Sequence, residues 1–288
     1  MTASSRFLAV TLLLAAGLAI GPARAAESYD NCTGFIDSLP VTITTQGTWC
    51  LRGNLGTNIT SGQAIRIAAN NVTVDCNDFK VGGLAAGDAA ETVGIAAEHR
   101  QNTTVRHCNV RGFRIGIMLY EGAGHLVEDN RLDNNLFMGI NLTGTNSRVR
   151  RNVVQDTGGF AGGAFTYAIG ARGDVVDNTV SGVFADEPDG WLAGITVKGH
   201  GAQVRGNLVS NIASSVAQGG MAGNAQGIAL EGRHQRASGN QVIRGSSGAA
   251  PSEGISTIHP AFCLDNTVAG FASNIENLCT GSGNVLLP

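Results

Sequence analysis

Val127-Glu128-Asp129-Asn130-Arg131-Leu132, Val149-Arg150-Arg151-Asn152-Val153-Val154 and Val175-Val176-Asp177-Asn178-Thr179-Val180 share one frame, apolar-x-x-Asn-x-apolar. The frame recurs around Asn77, Asn207, Asn240 and Asn266, and Val105 to Val110 fits it with Cys108 in the asparagine position. A second marker precedes each of these eight positions: Ala64-Ile65, Gly94-Ile95, Gly116-Ile117, Gly139-Ile140, Ala168-Ile169, Gly194-Ile195, Gly227-Ile228 and Gly254-Ile255. The marker leads by 10 to 14 residues, so the front half of each repeat is nearly constant and the back half varies.

Repeats of this length identify units that cannot bury an apolar face alone and must stack on copies of themselves. Within each unit, β-branched residues alternate with polar ones between Gly, Asn, Asp and Ser turns, and no helical period is visible. The sequence therefore predicts an all-β solenoid of about eight to nine coils, a parallel β-helix. Coils in such a stack lie about 4.8 Å apart, which sets equivalent asparagines one above another as a hydrogen-bonded ladder.

The frame and marker together resemble the pectate-lyase-like superfamily of right-handed parallel β-helices over about residues 41 to 280. Ile43 to Leu55 followed by Gly62 to Gly83 is also similar to the opening coils of secreted bacterial β-helix proteins. The resemblance implies the handedness and an internal asparagine ladder. Because fold does not carry function with it, the chemistry has to be read from particular residues.

Residues 1–25 read as a secretory signal peptide: Arg6, an apolar run from Phe7 to Ile20, then Ala23-Arg24-Ala25 as a small-x-small cleavage site. The expected location is secreted or periplasmic, with no membrane span, because no other stretch approaches the required apolar length. Residues 26–288 are read as one domain, with an N-terminal cap at 26–60, coils at 61–268 and a C-terminal cap at 269–288. A formal charge of -3 argues against nucleic acid as a partner, and a monomer is expected. Six cysteines in an exported chain favour disulfides. Cys32 with Cys50 and Cys263 with Cys279 would staple the two ends, whereas Cys76 and Cys108, on neighbouring coils, fit either a disulfide or two buried thiols.

The spacing from each ladder position to the next marker is 17 residues, then 8 and 9, then 16, 16, 20 and 14. Long connections in the later coils predict a wall beside the marker strand, and binding residues concentrate on such loops. Strand alternation places the residue three after each marker Ile on the outer face. That row reads Ala68, Glu98, Tyr120, Thr143, Arg172, Lys198, Glu231, Ile258.

Lys198 is one of only two lysines and falls beside Arg172. Superfamily lyases use basic residues on this face, often with calcium, so the resemblance implies β-elimination on a uronic-acid polysaccharide. In that scheme Lys198 or Arg172 takes the proton and the other neutralises the substrate carboxylate, with Tyr120 and Glu231 as further catalytic candidates. Trp191, Tyr167, Glu98, His200 and Arg233 are substrate-binding candidates. Asp186, Glu187 and Asp189 form the hard-oxygen set that Ca2+ prefers, and the Trp191 indole can stack on a sugar face. The alternative is a non-catalytic protein, a glycan-binding or cell-envelope structural β-helix in which the charged row forms compensating surface pairs. Pectin-type hydrolysis is disfavoured: Gly199-His200-Gly201 is present, but Asn178-Thr179-Val180 lacks the acid and no Asp-Asp pair occurs.

Overall fold

The computed structural model describes residues 29–160, 165–184, 191–212, 224–245 and 252–287. Residues 1–25, read above as a signal peptide, lie outside them. The chain winds into a right-handed parallel β-helix of three sheets with 11, 10 and 10 strands, each coil contributing one strand to each sheet in turn. One such coil is Ile115–Tyr120 in the marker sheet, Leu126–Glu128 in the second sheet and Arg131–Asp133 in the third. The eight coils with markers run from Ser61 to Ala269, and a shorter round of strands extends the sheets at each end.

The core is a set of vertical stacks. Ile65, Ile95, Ile117, Ile140, Ile169, Ile195, Ile228 and Ile255 pair in register and are all fully buried. Val105, Val127, Val149, Val175 and Val204 do the same in the second sheet, and Val154, Val180, Val209, Val242 and Val268 in the third. Burying each such side chain contributes about 1.5–3 kcal/mol, so the solenoid is stabilised by repetition rather than by one central cluster.

The turn between the second and third sheets explains the frame. The residue before each ladder position has a positive φ: His107, Asp129, Arg151, Asp177, Gly206, Gly239, Asp265 and Gly283 lie between 50° and 75°. Asp and Gly suit that conformation. The following asparagine turns inward. Asn152 Oδ1 accepts from the backbone N–H and side-chain amide of Asn130 at 3.1 and 2.9 Å, while its own amide donates to the Val127 carbonyl and to Asn178 Oδ1, both at 3.0 Å.

The ladder runs Asn130, Asn152, Asn178, Asn207, Asn240, Asn266 and on to Asn284, a rung the frame does not show. Cys108 joins at the other end by donating its N–H to Asn130 Oδ1 at 3.0 Å. Asn77 is not a rung. Its turn holds two extra residues, since Asp75 pairs with Arg106 but Lys80 with Asn109. Asn77 takes a positive φ itself, and its amide goes to the Leu51 carbonyl at 3.1 Å.

Disulfides join Cys32 to Cys50 and Cys263 to Cys279, as the ends of the solenoid require. A third joins Cys76 to Cys108 across adjacent coils with a Cα separation of 4.7 Å, which settles the open choice in favour of a bond. The charged residues before the ladder form ion pairs between coils that the sequence did not reveal, including Arg106 with Asp75 at 2.7 Å and Arg151 with Asp129 at 2.6 Å. The Arg151 hydrogen bond holds the Asp129 carboxyl below the usual carboxylate range.

The remaining turn carries a shorter stack of side-chain caps. His125 Nδ1 accepts the Thr103 N–H at 3.3 Å, its Nε2–H donates to the Glu121 carbonyl at 2.8 Å, and its own backbone N–H donates to Ser147 Oγ at 3.0 Å. A proton added at Nδ1 would face another donor. Burial pushes the His125 imidazole below its ordinary value, against the opposing pull of the Glu121 carbonyl. A depressed pKa means the folded state favours the neutral ring, so this contribution is complete above about pH 6.5 and is lost as pH falls through the lowered folded value. Urea midpoints measured between about pH 7 and 5 should therefore decline in the wild type and decline less in His125→Gln. The Asp129 contribution is lost only lower, below about pH 4. Identical slopes for the two proteins would contradict the assignment.

Candidate functional site

Each marker strand kinks at its Gly or Ala. Ile115 pairs with Met138 and Ile117 with Ile140, and the intervening Gly116 is skipped. A Cβ built on Gly116 would lie 2.8 Å from Leu132 Cδ2, on the interior side. Both marker residues therefore face inward. The consequence is that three rows face out, at two before, one after and three after the marker Ile.

The expected row is real: Tyr120 pairs with Glu98, and the Ala171–Val197 and Val197–Leu230 pairings set Arg172, Lys198 and Glu231 on successive coils. The row two before the Ile adds Tyr167, Ala193, Gln226 and Glu253 in register. The row one after adds Ala229 and Ser256, and the Ile255–Ile275 pairing extends it to Glu276.

Over the later coils these rows form the floor of a cavity of about 600 Å³. Phe165 and Trp191 pair in register at one side, with ring centroids 6.2 Å apart and planes at 90°. Trp191 keeps 37% of its surface exposed and Phe165 48%, so apolar ring area remains open to a ligand. Lys198 Nζ lies 3.4 Å from Glu231 Oε2 and 6.0 Å from the centroid of the Tyr167 ring. Burial raises the Tyr167 phenol above its ordinary value and the negative charge of Glu231 adds to the shift, so it stays a neutral hydroxyl. Gln226 Nε2 donates to Glu253 Oε2 at 2.7 Å, and Glu276 Oε2 accepts the Thr257 N–H at 2.7 Å. The Asn224 side-chain oxygen is buried in the lining without a hydrogen-bond partner among the described residues.

Of the residues singled out from sequence, the cavity brings together Tyr167, Trp191, Lys198 and Glu231. Arg172 follows the end of the strand Phe165–Ala171, one coil before Lys198, and is exposed, but does not line the cavity. His200 and Arg233 sit in the turns beyond, where the Arg233 N–H donates to His200 Nδ1 at 3.0 Å and ties one coil to the next. Glu98 and Tyr120 stand apart, Tyr120 three coils from Lys198, or about 14 Å. Glu98 Oε1 accepts from Gln63 Nε2 at 3.0 Å, and the Tyr120 ring lies edge-on to His99. Asp186, Glu187 and Asp189 lie outside the described residues. Among those described, no group of three His, Cys, Asp or Glu is placed to hold a metal.

Phe165, Gln226, Glu253 and Glu276 were missed. Gln226 and Glu253 sit on the inward parity of an unkinked strand, and Glu276 follows Asn274-Ile275, which lacks the Gly or Ala of the marker.

A family model described as a right-handed β-helix region matches residues 41–209 and again 93–274. The chain belongs to that family. The crystal structure of the Dettilon tailspike protein (gp208) is similar, with a TM-score of 0.50 and 14% identity over 88% of this chain. The chain spans about 60% of that tailspike's length, and at this identity the likeness speaks to fold alone. No curated protein sequence matches the chain.

Proposed function

We propose that this β-helix is an exported carbohydrate-binding protein that holds a saccharide unit in the cavity between Trp191 and Glu253. The observation carrying the reading is the joining of open aromatic faces, Trp191 and Phe165, with fixed polar groups on a rigid sheet. Sugars present apolar C–H faces and polar hydroxyl edges together, so an indole beside Lys198, Glu231, Gln226 and Glu253 matches both. Export is supported by the three disulfides, which persist in oxidising compartments. No helix among the described residues is long and apolar enough to cross a membrane.

Trp191→Ala should weaken binding of any saccharide that uses the cavity by about tenfold or more, as loss of a central aromatic contact does. Its melting temperature should stay near wild type, because the indole is partly exposed. Calorimetric titration against a glycan panel measures the first and a thermal scan the second.

The catalytic version of this reading, calcium-assisted β-elimination on a uronic-acid polymer, is favoured by the adjacency of Arg172 and Lys198. It is opposed by Glu231, which engages the Lys198 ammonium, and by the position of Arg172 outside the cavity. Incubation with uronic-acid polysaccharides, with and without calcium, tests it through the absorbance of unsaturated ends. A lyase would lose at least about a hundredfold in rate in Lys198→Ala. An unchanged absorbance with all of these polymers would remove the catalytic reading.

A further inference from the structure

The polar lining of the cavity is rich in hydrogen-bond acceptors. Glu231, Glu253 and Glu276 supply three carboxylates, and Asn224 supplies a buried side-chain oxygen without a partner among the described residues. Among the described residues, Lys198 is the single cationic side chain in the lining, and it is already engaged with Glu231 at 3.4 Å. The Thr257 hydroxyl is used internally, donating to the His259 carbonyl. The Gln226 amide likewise donates to Glu253.

With three carboxylates against one ammonium, the described residues of the lining carry a formal charge of -2. A uronate carboxylate placed there would meet like charge, which penalises it in a partly enclosed site. A ligand offering donors, and above all a cation, is complementary to the same groups.

We infer that the cavity selects an amino sugar bearing a free, protonated amine over neutral sugars and over uronic acids. This rests on the carbohydrate-binding reading and specifies its ligand class. The aromatic pair would cover the sugar face, while the amine lies on the carboxylate-bearing side of the cavity. The acidic polysaccharide expected from the Arg172 and Lys198 row would then be the disfavoured class, because the strand kink turns Glu253 outward and the unmarked coil at Ile275 adds Glu276, both in the same cavity as Lys198.

The test is a calorimetric titration of the protein with three tetrasaccharides: β-1,4-linked glucosamine, its fully N-acetylated counterpart and tetragalacturonate. At about pH 6, below the usual amine range, the glucosamine tetramer should bind at least about tenfold more tightly than either, and added salt should narrow the gap. Glu253→Gln/Glu276→Gln removes two charges while keeping an oxygen acceptor for the Thr257 N–H, so it should abolish most of the preference without unfolding the protein. Tighter or equal binding of the acetylated or uronate tetramer, lost in Trp191→Ala, would overturn the amine assignment and leave the carbohydrate reading standing. Glucosamine binding that survives Trp191→Ala would overturn it as non-specific charge attraction. Failure of all three to bind would overturn both.

Discussion

Asn152→Leu is expected to destabilise the protein by about 4 kcal/mol or more, because several buried polar groups lose their partners at roughly 1–3 kcal/mol each. The Asn130 N–H and the Val127 carbonyl lose the Asn152 side chain as partner, and the Asn130 amide and the Asn178 side-chain oxygen each lose one of two bonds, keeping the Val105 carbonyl and the residue-152 backbone N–H respectively. Leucine is of similar size, but its side chain can replace none of the lost bonds. Thr179→Ala serves as the control, since Thr179 lies on the outer face of the third sheet and makes no side-chain hydrogen bond. Thr143→Ala would be a poorer one, because Thr143 Oγ1 accepts the Glu121 N–H at 2.8 Å. Urea unfolding of the three proteins gives the comparison, and coincident midpoints for Asn152→Leu and Thr179→Ala would contradict the ladder.

Replacing Cys76 and Cys108 together by alanine should cost about 3–4 kcal/mol on the chain-entropy account, for a sequence separation of 32 residues. This bond closes a longer loop than either end disulfide, whose separations are 18 and 16. It also ties the coil with the irregular turn to the start of the ladder. The double variant should lose more stability than Cys263→Ala/Cys279→Ala, and thermal melts under non-reducing conditions would show the order. The reverse order would mean that end fraying limits stability rather than coil-to-coil attachment.

Much of the architecture was legible because a solenoid writes its geometry repeatedly. The Asn130, Asn152 and Asn178 frame encodes the inward amide, and the Asp or Gly before it encodes the positive φ. Where a single coil departs, repetition misleads: Asn77 fits the frame, yet two additional residues in its turn move it out of the stack. Asn284 joins the ladder through a strand too near the end to show a full repeat.

The site was half legible for a related reason. Simple alternation found Lys198 and Glu231, and the long connections pointed to the later coils, where the cavity lies, although the wall they were expected to form falls largely outside the described residues. Alternation also assigned Gln226 and Glu253 inward, because a kink that turns two consecutive residues to the core leaves no mark beyond the small residue at the marker. Without Glu253 and Glu276 the face reads as charge-balanced; with them the described lining of the cavity is acidic on balance. The kink at the marker and the unmarked coil at Ile275 together move the proposed ligand from an anion to a donor-rich sugar.

The central claim is that the cavity beside Trp191 binds a carbohydrate. The chain has two tryptophans, and Trp49 is held away from the cavity with its indole N–H donating to the Thr45 carbonyl at 3.2 Å. In a Trp49→Phe protein the remaining emission reports on Trp191 alone. Titration of that protein with oligosaccharides should produce a saturable change in emission intensity and wavelength as a sugar ring covers the indole. Unchanged emission across amino, neutral and uronic oligosaccharides would contradict the account.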